Sequence, residues 1–411
     1  MNILRFEPSK TPTFQHQYPN PLPASNMVSQ LNARHKPKYT LLTFYKFVDI
    51  PETELDAVAQ EHLDFCRDIG LRWRVYIGTE GISSTVTGNI GQCWSYRKFL
   101  ESSKYFRNIT DIDTKATPVE DHQFPRMSVK IRSEIVTLGE KVTARDIEKY
   151  HKEITIEDFK KVIDENPDDY AILDMRNDYE YRLGHFRWAI PAGTDNFREV
   201  PKLLEKYKHE FAGKKVVFYC TGGIRCEKAS VIMNKAGMNE LYSLEWGVVK
   251  YVNEYNDGNW LGNLYTFDGR VSTQVGDAST HTTIGECLYT REKTDNCENC
   301  RYAPCNARII ATPQAYRKHM GFCSKECYDH ARLDGCIKVV PWDKMDYLTL
   351  GREMRQAPLR RGEDSEWNEE GGFSFWNHPN LEKIQKHLDS RLAKVEWSHL
   401  TSQKEEEIVE C

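Results

Sequence analysis

The stretch KKVVFYCTGGIRCEKASVIMNKAG, residues 214–237, constrains the fold more than any other. Val216 to Tyr219 is a continuous apolar run, the pattern of a strand buried on both faces. Helical spacing resumes at Cys226 and ends at Gly237. A strand covered on both sides and followed at once by a helix implies a parallel sheet between helical layers. The same rhythm runs from about 153 to 258: ITIEDFKKVIDEN and VPKLLEKYKHEFAG read as helices, YAILDMR and ELYSLEWG as strands. Ligands of such sheets lie beyond the carboxyl ends of the strands, where Cys220 sits.

The connection Cys220-Thr221-Gly222-Gly223-Ile224-Arg225 then has a chemical reading. Its glycines permit a tight turn with backbone N–H groups facing inward, and the helix beginning near Cys226 aims its positive end at the same spot. A sulfur held there is favoured as thiolate, a nucleophile or a persulfide carrier. We therefore expect Cys220 and Arg225 to be catalytic, with Thr221, Gly222, Gly223, Ile224 and Cys226 forming the anion or persulfide cradle. The plainer alternative is a buried cysteine ahead of an ordinary glycine turn. A cysteine phosphatase loop is rejected: it places five residues between Cys and Arg, and here there are four.

At 411 residues the chain is expected to hold two or three domains. Residues 39–140 read as a ferredoxin-like α+β unit: strands at YTLLTFYKF, LRWRVYIG and GISSTVTG, helices at PETELDAVAQEHLDFCRDIG and NIGQCWSYRKFLESS, and a closing strand in RMSVKIRSEIVTLG. Residues 150–260 form the α/β domain, 280–337 a Cys-rich region, 1–38 a disordered leader and 338–411 a polar tail. The net charge of −5 gives no global case for nucleic-acid binding. The N-terminus lacks the apolar core of a secretory signal, and no apolar run reaches the length of a membrane span, so the expected location is cytoplasmic, with organellar targeting the alternative.

Seven of the twelve cysteines crowd between Cys287 and Cys336. Without a secretory signal such spacing favours metal over disulfides. Cys297, Cys300, Cys323 and Cys327 are the expected ligands of a structural zinc, Cys305 being a possible substitute and Cys287 a candidate for a second site.

The cysteine loop resembles that of the rhodanese superfamily, and LDMRNDYEYRLGHFRWAIP, with Asp174, Arg176, Glu180, Gly184 and His185, resembles its other signature. Asp174 and Arg176 are expected to form a buried charge pair or brace the backbone, and His185 to pack rather than catalyse. A closer resemblance spans about residues 40–330: GTEGISSTVTG, FPRMSVKIRSEIVTLG, LDMRNDYEYRLGHF, YCTGGIRCEKAS and GECLYTREK follow the order of the rhodanese-like tRNA uridine 5-hydroxylase family. The chain departs from the bacterial pattern at Ser83, more often Asn, and in its leader and tail.

That resemblance implies oxygen-dependent 5-hydroxylation of the wobble uridine of tRNA, with molecular oxygen as co-substrate and Cys220 essential. A rhodanese-type sulfurtransferase working through a Cys220 persulfide is the alternative. No flavin, haem or nicotinamide motif is visible. With tRNA as partner, the candidate contacts are Arg72, Trp73, Arg74, Arg126, Lys130, Arg132 and the group from Arg352 to Arg361.

Overall fold

The computed structural model describes residues 38–337, apart from 108–114, 123–125, 256–257, 268–269, 278 and 280. The leader and the tail expected from composition, Arg352–Arg361 included, lie outside the described residues, as does the side chain of Trp73.

The N-terminal unit comprises β1 (Tyr39–Phe47), α1 (Leu55–Asp68), β2 (Arg72–Gly78), β3 (Gly81–Gly88), α2 (Ile90–Ser102), β4 (Lys115–Val119) and β5 (Met127–Ile131). Leu55, Val58, His62 and Cys66 recur at helical spacing and turn one face of α1 into the core. A reciprocal Asn89–Gln92 capping box starts α2. The strand order β4-β1-β3-β2, antiparallel throughout, is that of a ferredoxin-like sandwich, and β5 is added parallel to β2. One expectation changes here. The closing strand is KATPV at the sheet edge, where Pro118 is tolerated, and the expected one at 126–139 is only the short added β5.

After α3 (Ala144–Tyr150) come β6 (Glu153–Ile154), α4 (Ile156–Glu165), β7 (Tyr170–Asp174), α5 (Asp178–Leu183), β8 (Gly184–Phe186), β9 (Ile190–Pro191), α6 (Leu204–Glu210), β10 (Lys215–Tyr219), α7 (Ile224–Lys235), β11 (Leu241–Leu244) and α8 (Gly247–Glu254). The order β6-β11-β10-β7-β9 is parallel in every pair. Alternation along β10 splits its burial: Val216 and Phe218 enter one core with α7, Val217 and Tyr219 another with Phe159 of α4 and Val248 of α8. Both faces are covered, as the apolar run required.

The C-terminal part holds small pairs: β12 (Trp260–Gly262) on β8, β13 (Leu264–Tyr265) on β14 (Ser272–Thr273), and β15 (Cys297–Asn299) on β16 (Arg308–Ile310). Then follow α9 (Pro313–Lys318) and α10 (Lys325–Asp334). Its own core, around Tyr302, Ile309, Tyr316 and Phe322, is interleaved with cysteines.

Candidate functional site

Cys220 stands at the end of β10, fully buried, and its sulfur accepts the Gly223 N–H at 3.1 Å. The loop is held from behind. The carbonyls of Cys220 and Thr221 accept the Val248 and Val249 N–H groups of α8 at 3.0 and 3.1 Å, which leaves the opposite, amide side of the turn facing the sulfur. Gly223 takes φ +100°, and a Cβ there would come 2.6 Å from the Tyr45 hydroxyl, so glycine alone fits.

Burial by itself pushes thiols up: Cys66 to about 12 and Cys93 to about 11. At Cys220 burial acts in the same direction. A bond from the Cys226 thiol, the Arg225 charge and the amides of Arg225 and Gly222 outweigh it and hold the group well below the ordinary thiol range. The loop therefore favours the thiolate form of this sulfur.

The predicted cradle residues divide by role. Gly222, Gly223 and Cys226 face the sulfur. Ile224 opens α7 and lines the cavity described below. Thr221 turns its hydroxyl to Glu180 at 3.3 Å. Arg225 reaches the sulfur through its amide and its field, because its guanidinium forks onto buried Glu180 at 2.6 and 2.9 Å. Arg225 braces the loop rather than closing a ring around the sulfur. Asp174 and Arg176 form the expected buried pair, with Arg176 also donating to the Gly184 carbonyl and the Tyr219 hydroxyl donating to Asp174 at 2.8 Å. His185 packs: its ring stacks on Tyr181 at 3.9 Å and its Nδ1 meets the Tyr181 carbonyl.

Cys220 opens into a cavity of about 430 Å³ whose walls come from both domains. Tyr45, Arg74, Tyr76 and Ser83 of the N-terminal sheet face Trp246 and Phe267 across it. This volume suits one planar ring of nucleobase size with its sugar. The sequence reading missed the cross-domain contacts that fix these walls. The Tyr45 hydroxyl donates to Glu227 at 2.6 Å. Fully buried Lys228 donates to Glu80 at 2.8 Å, to Glu134, and to the Val136 carbonyl at 3.1 Å. A lysine at 228, on the Ile224–Ile232 stripe of α7, was the available signal.

In the Cys-rich region the sulfurs of Cys300, Cys305, Cys323 and Cys327 all lie within 4.8 Å of one another. Cys323 is 3.7 Å from Cys305 and 3.6 Å from Cys327. Thiolates about 2.3 Å from a tetrahedral zinc sit about 3.8 Å apart, so the donor set fits that ion. The Cys323 N–H donates to the Cys300 sulfur at 3.5 Å, the outer support such ligands use. The expectation for Cys297 is corrected: it lies in β15, opposite Ile310, and packs with Leu183 and Tyr265. β15 ends at Asn299, so Cys297 is held in the strand while Cys300 lies in the turn beyond it, among the other cysteines. Cys305 takes its place, and Cys287 stands apart, accepting the Thr312 N–H at 3.4 Å.

Of the candidate RNA contacts, Arg74 stacks on Tyr76, guanidinium carbon to ring centroid 4.7 Å, and Arg132 does so at 5.2 Å. Arg72, Arg126 and Lys130 are exposed.

The sequence matches the UPF0176 acylphosphatase like domain over residues 39–135, the rhodanese-like domain over 155–254 and the rhodanase C-terminal domain over 261–328. It is 37% identical over 293 residues to a protein of Oceanobacillus iheyensis named tRNA uridine(34) hydroxylase, covering 71% of this chain and 88% of that one. It is 36% identical over 296 residues to a protein of the same name from Enterococcus faecalis, covering 71% and 91%. Among solved structures it is similar to the rhodanese-like domain of an Anabaena protein, 17% identical over 27% of this chain and 80% of that one, TM-score 0.24.

Proposed function

The chain belongs to the tRNA uridine(34) hydroxylase family, and from that premise we propose that it converts the wobble uridine of tRNA to 5-hydroxyuridine with molecular oxygen as co-substrate and Cys220 as the essential thiolate. The observation that carries this reading is Cys220, its sulfur capped by the Gly223 N–H and favoured as thiolate, lining a cavity sized for one nucleotide. A wobble base already stands in a single-stranded loop, so turning it into the cavity costs little pairing energy. Addition of the Cys220 sulfur to C6 of the ring moves an electron pair toward C5, the carbon that takes the oxygen. The net reaction consumes one O₂ and an external two-electron donor, and the second oxygen atom leaves as water. Cys226 and the loop amides stabilise the sulfur before attack and after release, while Arg225 and Glu180 keep the loop in shape.

Cys300, Cys305, Cys323 and Cys327 would hold a structural zinc, which would tie β15, the turn after it and α10 together. No helix among the described residues is long and apolar enough to cross a membrane. We place the reaction in the cytoplasm, a compartment that keeps thiols such as Cys220 reduced.

The amide cradle would also stabilise a persulfide on Cys220, which keeps rhodanese-type sulfur transfer as the competing reading. Nucleoside mass spectrometry separates the two. Wild type returned to cells lacking the protein restores 5-hydroxyuridine-derived nucleosides in tRNA and Cys220→Ser does not. Full rescue by Cys220→Ser sinks the thiolate assignment, and recovery of thiolated uridines instead establishes sulfur transfer.

A further inference from the structure

The outer face of the N-terminal sheet is the side turned away from the core that holds Val75, Ile77 and Val86. Strand pairing sets its side chains in rows. One row runs Tyr45, Ser83, Tyr76, Lys130 across four strands. The next sets Thr85 beside Arg74, and the third Thr87 beside Arg72. In a chain with 61 Asp and Glu against 56 Lys and Arg, no carboxylate occupies these rows. Among the described residues, Arg72, Arg74, Lys130 and Arg132 have no carboxylate partner.

The first row ends at the cysteine loop, because Tyr45 abuts Gly223 and bonds to Glu227. Arg74, Tyr76, Ser83 and Cys220 border one cavity. Across it Phe267 is 48% exposed, with the Arg225 guanidinium 5.6 Å from its ring and Tyr265 against its edge at 5.1 Å. Such a ring is fixed in place while leaving a face open.

We propose that this sheet face is the docking surface for a single-stranded RNA loop, with Arg72, Arg74, Lys130 and Arg132 taking its phosphates and Phe267 stacking on the base delivered to Cys220. The inference rests on the tRNA reading above and adds where the RNA lies. Hydroxyl-rich, cationic strands meet a polyanion without charge repulsion, and a fixed aromatic ring receives any base by its π-face. A merely solvated sheet face would carry both signs of charge and would not run unbroken into the nucleophile's cavity.

The test uses the full chain and a 17-nucleotide anticodon stem-loop with uridine at the wobble position, bound across a salt series. Each phosphate contact on single-stranded RNA adds about 0.7 to the slope of log K against log salt, which is about fivefold in affinity at 0.1 M. Arg72→Gln/Lys130→Gln therefore flattens the slope by about 1.4 and weakens binding about 25-fold. Phe267→Leu leaves the slope and weakens binding by between about 5- and 150-fold. Lys161→Gln, on α4 outside the cavity, changes neither. Equal slope and affinity in the double variant, with an unchanged melting temperature, overturns the proposal and leaves the face to another occupant. The two readings fail separately: wild type that restores 5-hydroxyuridine in cells while the slope stays unchanged loses only the surface, and wild type that fails to restore it loses the tRNA reading.

Discussion

Tyr45 and Glu227 share a 2.6 Å hydrogen bond that joins the first strand of one domain to the helix behind the cysteine loop of the other. Burial, opposed by that bond and reinforced by Glu153 and Cys220, raises the Glu227 carboxyl to about 7. An unfolded glutamate titrates near 4.3. Between about 4.3 and 7 the folded state keeps a proton that the unfolded state has lost, so this group's contribution to stability falls as pH rises through that window and is constant above it. Glu227→Gln, which keeps the acceptor for Tyr45, should therefore match wild type at pH 4 and melt higher at pH 8. A melting difference that does not grow with pH would contradict the assignment.

Cys220 should react with iodoacetamide with a pH profile whose midpoint lies below the ordinary thiol range, because the loop favours its thiolate form. Removing the Cys226 donor with Cys226→Ala shifts the midpoint of that profile upward. Cys66 and Cys93, both pushed up by burial, stay unreactive over the same range. Mass mapping of the alkylated peptides reads all three.

Glu180→Gln leaves the Arg225 guanidinium buried without its counter-charge and the cysteine loop without its brace. We expect a loss of about 3–5 kcal/mol in unfolding free energy, measured by urea titration. Arg225→Lys, which cannot fork, should lose much of the same amount.

Lys228→Met strands Glu80 and Glu134 at the domain junction, at a cost of about 3–5 kcal/mol. Adding Glu80→Gln should return part of it. A double-mutant cycle with no coupling between 80 and 228 would refute the clamp.

The purified protein should contain about one equivalent of zinc. Cys305→Ser removes most of it and Cys297→Ser leaves it in place, by elemental analysis. The reverse order would restore the reading from spacing alone.

Much of this was legible in the sequence because binary patterns carry it. The β-rich stretches of β1 to β3, the apolar run of β10 and the helical spacing of α1 each announce their element locally. β4 escaped because Pro118 interrupts a five-residue edge strand. Cys297 misled because C-x2-C spacing suggests a tight turn, and the chain at 297–299 is extended. Arg225 was expected to complete the cradle as a catalytic residue, and its guanidinium answers instead to Glu180, 45 positions away in sequence. The links of Tyr45 to Glu227 and of Lys228 to Glu80 join distant elements, and no local periodicity encodes such pairs.

The cavity around Cys220 is enclosed by side chains from residues on either side of a domain boundary. Its selectivity is thus a property of assembly, absent from each half taken separately. An excised rhodanese-like segment would bare its sulfur to any small electrophile, while an exchanged N-terminal sheet would redraw what may approach without touching the loop that holds the charge.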